Sequence, residues 1–250
     1  MCLKKVIFQS VAPMVFVVAL GMAFVALIAA ALPVWADVSI KTGESMSDQN
    51  NNRQSRGGIV LIRHGEAEHN VENTHNSNPE HANYKIKHLT NSGRNQMRAT
   101  GDRLLSESID GDSVCKVLVS PLPRTQETAN IIMGKLQINS FKKKTEPGLT
   151  ESGLGSREGQ KHDQFDEANP WFPKDPASFD GETTEQIRTR VLGVLNEVLN
   201  NPDCDLDNQY VLLVSHGSPI YLMLELLTGH GEKLNPAGYR IINQPKIRSN

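Results

Sequence analysis

The stretch VLIRHGEAEHN, Val60 to Asn70, decides how this 250-residue chain is read. An apolar run, GIVLI at 58–62, ends abruptly in Arg63, His64 and Gly65. Runs of this length and composition suit strands of a parallel sheet buried on both faces. Two more follow, CKVLV at 115–119 and QYVLLV at 209–214. The second leads into Ser120, Pro121 and Arg124, the third into Ser215, His216 and Gly217.

Helical patterns fill the intervals. Thr90 is a good N-cap for a helix placing Met97, Gly101, Leu104 and Leu105 on one face. RTQETANIIMGKL follows the second apolar run. TTEQIRTRVLGVLNEVLNN spaces Ile187, Val191, Val194, Leu195, Val198 and Leu199 for one helical face, and Gly181 and Glu182 are expected to cap its start. Pro219 suits the first turn of a helix running through Leu227, with Gly229 ending it. YRIINQ is a further strand candidate. Alternating strands and helices imply an α/β fold, a mostly parallel central sheet flanked by helices on both faces. Residues 71–88 and 152–181 are long and irregular, as binding loops are.

In such a sheet, ligands bind beyond the carboxyl ends of the strands. The three runs therefore deliver Arg63, His64, Arg124 and His216 to one rim. Arginines there suit paired hydrogen bonds to phosphate or carboxylate oxygens. Gly65 and Gly217, each after a histidine, allow a sharp turn and close approach of a ligand. RHG alone at a strand end says little; the three strand ends together say much.

LIRHGEAEHN, LVSPLPRTQETA, GLTE and LLVSHG, with HLTNSGRNQ at 88–96, resemble the histidine phosphatase superfamily. The similarity is to the phosphoglycerate mutase-like branch, which also includes fructose-2,6-bisphosphatase, and runs from about Gly58 to Leu227. It implies that His64 is the nucleophile and Glu151 the proton donor. It implies that Arg63, Asn70, Arg124 and His216 hold the phosphate. Lys87 and His88 stand where an acidic residue is common in the family. The second histidine is followed by Gly217, whereas the acid phosphatase and phytase branch has aspartate there, so that branch fits less well.

The implied chemistry is hydrolysis of phosphate monoesters through a phosphohistidine. The alternatives are a phosphoglycerate mutase-type phosphotransferase and a module that binds a phosphorylated ligand without turnover. The expected partner is a small phosphorylated substrate or a phosphoprotein. A formal charge of −2 argues against nucleic acid. No cofactor or metal is expected, because the histidines His64, His69, His75, His81 and His88 match no metal-binding spacing. Glu66 is expected to orient or support. Arg157 and His162 are candidates for substrate contact, and Trp171 and Phe172 for packing the long loop down. The run Lys142 to Lys144 reads as a solvated turn.

The N-terminus is of another kind. Lys4 and Lys5 precede a segment without charge until Asp37, with an apolar run from Val11 to Leu32. Val34 and Ala36 flank Trp35 as at a signal-peptidase site. Residues 1–36 read as an export signal, or as an anchor over 6–35 if uncleaved, and 37–56 as a polar linker. The catalytic domain is expected at 57–250, in the periplasm or outside the cell. Cys115 and Cys204 are then a permitted disulfide pair, although each precedes a different strand.

Overall fold

The computed structural model describes residues 56–162 and 172–248, all within one compact unit, Asn50–Asn250. The expected signal or anchor, nearly all of the linker, and Trp171 lie outside the described residues. Five strands form one sheet: β1 (Gly58–Arg63), β2 (Val114–Val119), β3 (Lys143–Thr145), β4 (Tyr210–Ser215) and β5 (Tyr239–Ile242). Their order is β3-β2-β4-β1-β5. β4 pairs in parallel with β1 and β2, β2 in parallel with β3, and β5 runs antiparallel to β1.

The unbroken apolar character of the central strands follows from coverage of both faces. Side chains alternate along a strand. Val60, Ile62, Val117, Val119, Leu212 and Val214 join one core cluster, with residues of α2 (Asn91–Ser106) and α3 (Pro123–Leu136). Ile59, Leu61, Leu118, Val211 and Leu213 join the other, with residues of α4 (Thr184–Leu199) and α5 (Gly217–Thr228). Every residue of β4, the middle strand, is buried.

Helix boundaries follow local chemistry. The Thr90 hydroxyl accepts from the Gly93 amide and starts α2. Gly229, at φ +86°, terminates α5. Three expectations are corrected. Leu105 is 41% exposed, so the buried face of α2 runs through Met97, Thr100, Gly101 and Leu104. Thr183 caps α4, in a reciprocal box with Gln186, instead of Gly181 and Glu182. Finally, Lys143 and Lys144 lie in β3, at the sheet's edge, rather than in a turn. Lysine on an edge strand discourages pairing with another chain. Lys144 also pairs with Glu197 and Glu146.

Cys115 and Cys204 form a disulfide, with Cα atoms 5.7 Å apart. Cys115 lies within β2 rather than before it, at the irregularity between Val114 and Lys116, and Cys204 lies on the approach to the neighbouring strand β4.

Candidate active site

The register sets the site. Arg63 pairs with Ser215, and Val119 with Val214. The next residues, His64, Ser120 and His216, therefore emerge together. The rings of His64 and His216 meet edge to face, centroids 5.1 Å apart. The turn after β1 is pressed against the start of α2. A side-chain carbon at Gly65 would lie 2.6 Å from the Gly93 carbonyl oxygen, and one at Gly93 would lie 1.9 Å from that of Glu66. Gly65 is thus needed for helix packing as well as for the turn. Glu66 is structural: its carboxylate accepts from the Thr90 hydroxyl at 2.6 Å and its amide donates to Gln96.

His64 is fully buried. Its Nδ1 is 2.7 Å from the Gly65 carbonyl oxygen, an acceptor, so Nδ1 carries the proton. Its Nε2 keeps the lone pair and receives the Arg124 Nε–H at 3.3 Å. Burial first, then the positive charges of Arg124 and Arg63, hold His64 well below the usual histidine range. The imidazole is neutral, as a nucleophile must be. His216 is equally buried and depressed for the same reasons, burial foremost. Its Nε2 lies 2.7 Å from the Ser120 hydroxyl, and its Nδ1 has no hydrogen-bond partner among the described residues. A buried nitrogen so placed is costly unless a ligand oxygen meets it.

Arg124, fully buried on α3, is the centre of the arrangement. Its Nη1 donates to the Asn76 side-chain oxygen at 2.8 Å and its Nη2 to the Asn76 carbonyl at 2.7 Å. Burial lowers it to about 10, so it stays charged. Arg63 donates from Nη1 to the Leu234 carbonyl at 2.6 Å. Asn70 lies on α1 (Glu68–Glu72); its oxygen accepts the Ala67 amide and its nitrogen donates to His69 Nε2.

Across the cleft stands Glu151. Its carboxylate accepts the amides of Ser152 at 3.0 Å, Gly217 at 3.2 Å and Ser218 at 3.3 Å. The last two are the opening amides of α5, donors a helix leaves unpaired. Arg190 and Glu182 form a bidentate pair behind it. Arg190 also donates to the Gly148 and Glu151 carbonyls, and Glu182 accepts from Gly153, so the pair fixes the segment that presents Glu151.

An open cleft lies over these groups, and Arg63, Asn70, Arg124 and Glu151 are among the residues lining it. The expected site residues are thus brought together, in two layers. Arg63, Asn70, Arg124 and Glu151 line the cleft, while His64 and His216 lie fully buried in contact with that lining. Gly65 and Gly217 are buried and position neighbours rather than lining it. His69, His75 and His162 do line it. Arg157 does not; its guanidinium stacks on Phe179. Lys87 and His88 are engaged outside the cleft by Glu72 and Glu127. Phe172 packs against Tyr221.

Asn76 and Glu158 were not singled out in the sequence. Glu158 is fully buried; its carboxylate accepts the Ser77 amide and hydroxyl and the Asn78 amide. It thereby anchors the loop that brings Asn76 onto Arg124. One asparagine in THNSN looks like any other, and the pairing of two distant loops has no local signal.

The chain is 33% identical over 165 residues to the mitochondrial serine/threonine-protein phosphatase Pgam5 of Drosophila persimilis, covering 65% of this chain and 47% of that protein. It thus spans about half the length of such Drosophila relatives. It is 26% identical over 188 residues to a 2,3-bisphosphoglycerate-dependent phosphoglycerate mutase of Xanthobacter autotrophicus, covering 72% and 83%. Among solved structures, a mycobacterial glucosyl-3-phosphoglycerate phosphatase matches with a TM-score of 0.56 at 19% identity, over 73% of this chain and 88% of that one. The profile of the histidine phosphatase superfamily (branch 1) matches residues 59–238. With that profile spanning β1 to the approach to β5, the chain belongs to the histidine phosphatase superfamily.

Proposed function

We propose that the protein is an exported phosphatase that hydrolyses phosphate monoesters through a phosphohistidine on His64. The observation that carries this reading is the state of His64: neutral, its Nδ1 tied to the Gly65 carbonyl, its Nε2 lone pair beside the Arg124 guanidinium. Uncatalysed phosphate monoester hydrolysis is so slow that accelerations of up to ~10²¹ are called for. Dividing it into two displacements at a positively charged site lowers both barriers.

In the first displacement, the Nε2 lone pair attacks phosphorus and the phosphorus–ester oxygen bond breaks. The ester oxygen takes a proton from the Glu151 carboxyl group. Arg63 and Arg124 neutralise charge on the phosphoryl oxygens, the neutral His216 donates a hydrogen bond to them, and the Gly65 carbonyl stabilises the charged imidazole ring. In the second, the Glu151 carboxylate takes a proton from water and the resulting oxygen attacks phosphorus. The phosphorus–nitrogen bond breaks, releasing inorganic phosphate and neutral His64.

The mutase-type relative supports a second reading, transfer of the phosphoryl group from His64 to another hydroxyl rather than to water. The Drosophila phosphatase relatives favour hydrolysis and keep phosphoproteins among the substrates. The Cys115–Cys204 disulfide and the apolar segment after Lys5 both support export, because such bonds persist in oxidising compartments. The test is a phosphoester screen, including p-nitrophenyl phosphate and 3-phosphoglycerate, combined with an alkaline denaturing quench. Phosphate release with an acid-labile, base-stable phosphoenzyme is expected, lost in His64→Ala. Isomerisation without release indicates the mutase, and silence across the screen indicates a binding module.

A further inference from the structure

Among the histidines that line the cleft, His69 stands against the proposed nucleophile, with its ring centroid 5.5 Å from that of His64. The other two, His75 and His162, stack on one another, centroids 4.2 Å apart and planes at 29°. His69 lies on α1, one residue before Asn70. Its carbonyl accepts the Thr74 amide at 3.0 Å, which ties α1 to the loop that follows. The residue is 7% exposed.

Its neighbours fix which ring nitrogen carries the proton. The Asn70 side-chain oxygen accepts the Ala67 amide at 2.9 Å, so the other end of that amide group is its nitrogen, a donor only. That nitrogen lies 3.0 Å from His69 Nε2, which is therefore the ring's acceptor. Burial foremost, then the nearby Arg124, His64, Arg63 and His162, holds His69 far below the ordinary histidine range, so the ring carries a single proton. That proton is on Nδ1. Nδ1 is buried, and among the described residues it has no hydrogen-bond partner. A buried donor left in that state is costly. His216 shows the same combination: a ring against His64, an Nε2 beside the Ser120 hydroxyl, and a buried Nδ1 without a partner among the described residues. The two imidazoles thus flank His64, at 5.5 Å and 5.1 Å between centroids.

We propose that His69 is a further substrate-binding residue, and that its Nδ1–H donates a hydrogen bond to an oxygen of the phosphoryl group held at His64. The proposal rests on the phosphatase reading above. Phosphoryl oxygens are strong acceptors, and transfer through a loose transition state spreads charge over them. A donor already in place costs no reorganisation when that charge develops. Arg63 and Arg124 supply positive charge, whereas His69 adds a directed donor without adding charge. Asn70 then acts twice: it lines the cleft, and it sets the tautomer of the ring beside it.

The test uses the full chain and inorganic phosphate as the probe. Nitrogen-15 NMR of the histidine rings is expected to show His69 with its proton on Nδ1, and that nitrogen and its proton are expected to shift as phosphate is added. Two variants separate the donor from the bulk of the ring. His69→Phe keeps a flat ring and loses the donor, while His69→Asn keeps a side-chain N–H. A hydrogen bond to a charged acceptor sets the scale, so His69→Phe is expected to lower kcat/KM for p-nitrophenyl phosphate about 10- to 100-fold. Inhibition by inorganic phosphate is expected to weaken alongside, and His69→Asn to recover most of both. A proton found on Nε2, or a His69 signal unmoved by saturating phosphate, overturns the proposal. So does a folded His69→Phe with wild-type kinetics, or an equal loss in both variants, which would mark a packing role. If His69→Phe does not fold, the phosphate titration of the wild-type chain decides. Hydrolysis of no phosphoester by the wild-type chain overturns the phosphatase reading instead, and the titration, which needs no turnover, still tests His69.

Discussion

The Nε–H of Arg124 points at the Nε2 lone pair of His64 from 3.3 Å, while the other two nitrogens of the same guanidinium grip Asn76. One fully buried arginine therefore joins the proposed nucleophile to a loop that the sequence places twelve residues further along. Two hydrogens of its five remain for a phosphoryl oxygen.

Asn76→Ala removes the side-chain acceptor and leaves the backbone one. A hydrogen bond to a charged group contributes about 1.5–3 kcal/mol, so kcat/KM is expected to fall about 10- to 100-fold, mostly in kcat. Steady-state kinetics with p-nitrophenyl phosphate, alongside a thermal melt, separates this from unfolding. Glu158→Gln places an amide among the donors of Ser77 and Asn78 and is expected to destabilise by about 2 kcal/mol. Unchanged kinetics in Asn76→Ala would show that Arg124 needs no such support.

Glu151→Gln keeps a side-chain acceptor for the amides of Ser152 and Ser218 but has no proton to give to the departing oxygen. The loss is expected to be larger for alkyl phosphates, whose alkoxide needs that proton, than for p-nitrophenyl phosphate. General acid catalysis contributes about 10²- to 10⁴-fold, and that is the range expected for alkyl esters. Equal losses on both classes would place the acid elsewhere.

Acid should destabilise the fold through its buried imidazoles. His64, His69 and His216 are depressed by burial first and then by the nearby arginines, and His75 is depressed to about 4. In the unfolded chain each takes up a proton near pH 6.5. Below that value the unfolded state binds more protons than the folded state, so stability falls as pH drops. It is fully present above about 6.5, and the His75 contribution is lost by about 4. Each fully buried imidazole adds a slope of about 1.4 kcal/mol per pH unit. Urea unfolding between pH 8 and 5 measures the slope, and His216→Gln should flatten it. A flat profile below pH 6.5 would mean that these rings are not kept neutral.

Reduction should weaken the fold without touching the site. The Cys115–Cys204 bond spans 89 residues. In the chain-entropy model, closing such a loop stabilises by roughly 4–5 kcal/mol. Dithiothreitol, or Cys115→Ser with Cys204→Ser, is expected to lower the urea midpoint while leaving kcat unchanged below the transition. A midpoint insensitive to reductant would mean that the bond adds nothing to stability.

The sequence by itself determined the strand–helix alternation and the rim where Arg63, His64, Arg124 and His216 meet, while Glu151 came only from the family resemblance of GLTE. Both are local signals: a buried parallel strand must be apolar along its whole length, and a polar cluster at its end has few structural reasons to exist. Caps such as Thr90 and stops such as Gly229 are likewise written in neighbouring residues. The tertiary structure alone decided that β2 and β4 are adjacent, and hence that Cys115 meets Cys204. It alone decided that Asn76 reaches Arg124, that Glu158 holds Asn76 in place, and that His75 stacks on His162. Each of these depends on segments far apart in sequence being brought together by sheet order and loop pairing. Such contacts leave no periodicity, because they belong to no single element.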